Sequence, residues 1–119
     1  MVLGSRTAEC VRDDFALLEM DLLRVQGKTR PELVYALLGD AVLARDPPFH
    51  ALVERNNDML TRYRARDWAG ALEAAAACRH LDPNLGLDEL YTLYETRARA
   101  FQANPPPSDW GGVFDAEFK

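Results

Sequence analysis

The stretch Arg24-Val25-Gln26-Gly27-Lys28 gathers two cations and an amide around one glycine. Gly27 is free to adopt positive φ, and lysine at a hairpin tip favours solubility. The carboxylates Asp13, Asp14 and Asp21 suggest metal chemistry only superficially. Asp13 and Asp14 are neighbours at a helix end and Asp21 falls on the polar side of a strand, so solvated charge is the simpler role. His50 and His80 have no partner at metal-ligand spacing, and His80 near a helix C-terminus suits the helix dipole. Cys10 and Cys78 lie far apart without a Cys-x-x-Cys spacing, which fits reduced, partly buried thiols better than a disulfide or zinc site. No Gly-x-Ser-x-Gly elbow, P-loop or dinucleotide fingerprint occurs. The chain has no visible active site of its own.

Composition narrows the class. The chain has 119 residues, 48% of them hydrophobic and 28% charged, as in a soluble globular protein of one domain or two very small ones. A net charge of -5 argues against non-specific nucleic-acid binding, which needs a basic face. Met1 to Cys10 lacks the features of a secretion signal, and no apolar run approaches the roughly 20 residues that span a bilayer. The expected location is cytoplasmic, with no direct membrane contact and no nucleic-acid partner.

Around these residues the elements follow from spacing. Ser5 or Thr7 is expected to cap a short helix to about Asp14. Phe15 to Val25 alternates imperfectly, with Leu18, Met20 and Leu22 on one face and Glu19 and Asp21 on the other, as in a half-buried strand. Gly27 and Pro31 mark a turn, and Leu33 to Leu38 follows as six consecutive apolar residues, the pattern of a strand covered on both faces. An isolated hairpin is marginal in water, so this strand expects either covering helices or a larger sheet. That shortage of strands hints that the chain is incomplete.

Gly39 to Pro48 reads as a linker whose prolines delay the next helix. Phe49, Leu52, Val53, Met59, Leu60 and Tyr63 form one helical stripe to about Arg66. Asp67 caps a second helix carrying Trp68, Ala71, Leu72, Ala75 and Cys78, which stops at Leu81-Asp82-Pro83 and runs antiparallel to the first. A third helix presents Leu87, Leu90, Tyr91, Tyr94, Ala98 and Phe101 and ends near Asn104, before Pro105, Pro106 and Pro107. In the tail, Trp110, Val113 and Phe114 are apolar enough to fold back onto the helices.

Val2 to Gly39 resembles the end of the catalytic domain of class III adenylate and guanylate cyclases. There a helix introduced by a stretch like Gly4-Ser5-Arg6-Thr7 precedes a strand, a Val-Lys-Gly-Lys turn and a strand like Val34-Tyr35-Ala36-Leu37-Leu38-Gly39. The downstream part is similar to the tail of a sensor-linked bacterial subgroup. Tyr63-Arg64-Ala65-Arg66-Asp67-Trp68, Ala71-Leu72, Leu81-Asp82-Pro83, Pro105-Pro106-Pro107, Asp109-Trp110 and Lys119 carry that likeness, and Gly111 departs from it where an acidic residue is usual. Residues 60 to 83 also look like a single tetratricopeptide-type hairpin. One hairpin is not an array, so a packing module or docking appendage is the better reading.

The resemblance implies a parent enzyme that makes cyclic AMP (or cyclic GMP) and pyrophosphate from ATP (or GTP). It implies two Mg or Mn ions on aspartates that, by the family layout, lie upstream of this hairpin. Arg24, Gln26 and Lys28 become candidate substrate phosphate-binding residues, with Gln26 where the family has a triphosphate-contacting lysine. Glutamine can donate a hydrogen bond to phosphate but brings no charge, which Lys28 and Arg24 could partly restore. Asn57 and Arg62 imitate the family's Asn-x-x-x-Arg pair but are five apart and on the wrong helix. No catalytic or metal-binding residue is assigned. The implied partners are the remainder of the cyclase domain and, in the parent, a second copy.

The expected architecture is α+β, a short helix and β-hairpin followed by a three-helix, tetratricopeptide-like tail. The expected segments are 1–39 for the end of the catalytic domain, 40–48 for a linker, 49–104 for the helical tail and 105–119 for an extended C-terminus. The rival expectation is a small non-enzymatic interaction module.

Overall fold

The computed structural model describes residues 2–25, 30–81 and 85–116. The chain is α+β and divides into two compact units. One comprises residues 1–45 and 112–119, the other 46–111.

The first unit is built on a sheet with strand order β1-β3-β2-β4. Its strands are β1 (Val2–Gly4), β2 (Phe15–Val25), β3 (Glu32–Asp40) and β4 (Phe114–Ala116). β1 and β2 both pair antiparallel with β3, while β4 lies parallel to β2. The three-residue edge strands β1 and β4 were not foreshadowed by any alternation, since a run that short shows no period. β1 runs directly into α1 (Ser5–Val11), so Gly4 is the N-cap and no side chain caps the helix. Neither Ser5 nor Thr7 therefore has the capping role expected of it. α1 also stops short of Asp13 and Asp14, which occupy the turn after it.

The long hairpin is irregular in two places, between Ala16 and Leu17 and between Glu19 and Asp21. The second irregularity changes which residues face the core. Leu18 pairs with Ala36 and Asp21 with Val34, so Met20 is an extra residue and Asp21 shares the face of Leu18. Asp21 is consequently buried, 6% exposed, rather than on a solvated polar face. Its Oδ1 accepts from the backbone N–H of Leu22 at 2.9 Å, one of the bonds a buried carboxylate needs.

The stretch read as a linker contains α2 (Ala41–Ala44), capped by Asp40, whose Oδ1 accepts from the N–H groups of Val42 (3.0 Å) and Leu43 (3.3 Å). Gly39 lets this helix close on the strand, because a Cβ there would stand 2.6 Å from Leu43 Cδ2.

The second unit holds α3 (Pro47–Arg64), α4 (Trp68–Leu81) and α5 (Asp88–Ala103). α3 starts two residues before Phe49, with both prolines in its first turn. Proline is welcome there because the first N–H groups of a helix have no intrahelical acceptor. The apolar stripes meet in one core, with Leu52, Met59, Tyr63, Ala75, Cys78, Tyr91, Tyr94 and Ala98 each no more than 1% exposed. Asp82 and Pro83, expected to stop α4, lie outside the described residues.

Candidate functional site

The three residues expected to meet phosphate are only partly placed. Arg24 lies near the end of β2, exposed, in register with Asp115 of β4. Gln26 and Lys28 lie outside the described residues. Arg24 is thus the last but one residue of β2, and β4 pairs with β2 at Leu23, Arg24 and Val25.

The acidic candidates do not assemble. Asp13 and Asp14 are exposed in a turn, and Asp21 is buried against its own strand. Among the described residues no three His, Cys, Asp or Glu side chains come together in a way that could hold a metal ion. Asp13, Asp14 and Asp21 therefore do not form a metal-binding group with one another.

Arg62 is occupied structurally. Its Nε donates to Asp58 Oδ1 and its Nη1 to Asp67 Oδ2, both at 3.0 Å. The hydrogen bond to Asp58, then that to Asp67, pushes the guanidinium pKa further up. Asn57 is exposed one position from a different, buried asparagine, Asn56, which had attracted no notice in the sequence. His50 and His80 are both exposed.

The thiols differ. Cys10 is exposed rather than partly buried, because α1 turns only Ala8 fully inward. Cys78 is buried, and desolvation pushes its pKa up to about 11, a rise that a hydrogen bond with Tyr91 and the charge of Arg55 oppose.

The densest side-chain cluster lies in the helical unit. Tyr63, Trp68, Phe101 and Trp110 surround one another with ring centroids between 5.0 and 6.1 Å apart. Trp110 thus folds back onto the helices as its apolarity suggests, whereas Phe114 belongs to β4. Arg66 completes the cluster. It follows the C-cap of α3 with φ of 67°, an αL position unusual for a non-glycine residue. Its guanidinium lies 5.8 Å from the centre of the Trp110 ring, and its Nη1 donates to Pro106 O at 3.1 Å while Nη2 donates to Pro107 O. For the part played by Arg66, the dipeptide Arg66-Asp67 between two helical stripes was the sequence trace.

No family model matches the chain, and no curated protein or solved structure matches it either.

Proposed function

We propose that the chain is the C-terminal part of a class III nucleotide cyclase, the end of the catalytic domain followed by a helical tail. The parent would convert ATP (or GTP) to cyclic AMP (or cyclic GMP) and pyrophosphate in intracellular signalling, and this chain alone is inactive. The observation that supports this best is β3. Leu33 to Leu38 are apolar on both faces, yet only Ala36 is buried and the other five are half-buried, so the strand has the composition of a sheet interior with only partial cover. The order helix, strand, strand in α1, β2 and β3, with Arg24 near the end of β2, accords with the same reading.

In the parent, Arg24, Gln26 and Lys28 would contact the triphosphate. Gln26 would contribute a hydrogen bond without charge, and the two cations would supply the attraction. The remainder of the domain, with its Mg or Mn aspartates, would do the rest.

Two experiments test this. Purified chain incubated with ATP and manganese should make no cyclic AMP above a boiled control, and synthesis above it would overturn the claim of inactivity. The DNA upstream of Met1 should continue an open frame encoding two metal-binding aspartates and an Asn-x-x-x-Arg helix; a frame without them would overturn the cyclase assignment.

The second reading is a tetratricopeptide-like interaction module. Residues 46–111 support it by closing a core of their own around Tyr63, Tyr91 and Tyr94. It would be favoured by the second result of the upstream sequencing.

A further inference from the structure

Arg66, Trp110 and the proline run between them in space form a unit that neither reading above uses. Three consecutive prolines have no backbone N–H, so a segment like Pro105–Pro107 offers a neighbour only carbonyl oxygens and ring faces. A recognition site for such a segment therefore needs donors in a fixed fork and an aromatic platform. Both are present. The Arg66 guanidinium reaches two successive proline carbonyls, and Tyr63, Trp68 and Phe101 receive the Trp110 ring that follows.

The position of Arg66 adds a second observation. A left-handed φ on a non-glycine residue is unfavourable and persists where surrounding contacts impose it. From this turn the long side chain reaches residues 106, 107 and 110. The turn itself is closed independently. Asp67 N–H donates to Arg62 O at 2.8 Å and Arg66 N–H to Tyr63 O at 3.1 Å. A glycine at position 66 could make the same turn.

The strap is separable from the core it rests on. Pro105, Pro107, Ser108 and Asp109 are exposed, Trp110 is half-buried, and Pro106 alone of the run is buried. The strap's own turn is closed by Trp110 N–H donating to Pro107 O at 3.0 Å. The helical core beneath is assembled by α3, α4 and α5, with Met59, Ala75, Tyr91 and Ala98 fully enclosed. Segments with exposed backbone and few buried groups open at lower free energy than the core they cover.

We propose that residues 105–110 are a latch, recognised in cis through its proline carbonyls by Arg66 and through Trp110 by the aromatic cluster, that opens as one unit while the helices stay folded. Opening bares Tyr63, Trp68 and Phe101 together with the Arg66 fork, the same combination that would take a proline-rich segment.

Native-state hydrogen exchange on the full chain tests this. In the unaltered chain the Trp110 amide, which donates to Pro107 O, should open at a denaturant concentration where Tyr91 and Tyr94 remain protected. Arg66→Gly keeps the turn and removes the fork, and it should speed exchange at Trp110 by about tenfold or more with Tyr91 unchanged. Trp110→Ala should likewise speed exchange at the amide of residue 110, the one that closes the strap on Pro107 O. Equal opening of the latch and the α5 amides in the unaltered chain would overturn the proposal, as would an unchanged Trp110 rate in Arg66→Gly.

Discussion

Tyr91 Oη donates to Asn56 Oδ1 at 3.1 Å inside the helical core, joining α5 to α3 where both side chains are fully enclosed. A buried amide is costly unless it is bonded, so this contact specifies how the two helices meet more than it adds net stability. Tyr91→Phe leaves the asparagine oxygen short of a donor and should lower unfolding stability by about 1–2 kcal/mol. Urea denaturation followed by circular dichroism measures it, with an unchanged m-value expected.

The two thiols should be told apart by reagent. Cys10 is exposed and Cys78 buried. Titrated at pH 8 with a chromogenic disulfide, the native chain should release one equivalent of colour quickly and the second only in denaturant. Two fast equivalents would show that the core around Cys78 opens readily.

Cys78 also makes the fold sensitive to alkali. Its pKa in the folded chain is raised to about 11, above its unfolded value, because burial disfavours the thiolate. Folding therefore holds the proton more tightly than the unfolded chain does. The corresponding stability is complete below the unfolded pKa, about 9.0, and is lost as pH rises through about 11. Cys78→Ala should flatten that part of the stability profile, read as midpoints in urea from pH 8 to 11.

Asp67 closes the start of α4, where its Oδ1 accepts from Gly70 N–H at 3.1 Å. Asp67→Ala should cost about 1 kcal/mol through loss of the cap, whereas Asp67→Asn should retain most of it. The thermal midpoint of each variant compares them. The exposed pair of Asp67 with Arg62 is weakened in both variants, so the difference between them reports the cap.

Met20 is surplus to the pairing of β2 with β3. Deleting it should leave Asp21 opposite Val34 and Leu22 opposite Leu33, because the bulge sets two residues against one. Cross-strand contacts by NMR would show the retained register. A slip that moved Asp21 off the face of Leu18 would contradict this account.

Much of the fold was legible where the signal is local. The stripes of α3, α4 and α5 recur at three and four residues, Asp67 stands where a cap is needed, and the strand from Phe15 to Val25 shows its approximate alternation. Short edge strands and the two-proline helix start gave no comparable pattern. Of the three residues expected to meet phosphate, only Arg24 lies among the described residues.

Residue order alone determined the three long helices with their apolar stripes and the two long strands, since those follow from periods of 3.6 and 2 within a single element. Tertiary structure decided the rest. A bulge, set by pairing with β3, turned Asp21 inward; partners dozens of residues distant enclosed Asn56 and gave Arg66 its proline carbonyls. These outcomes depend on which remote groups can satisfy a buried dipole or charge, and no local period encodes that.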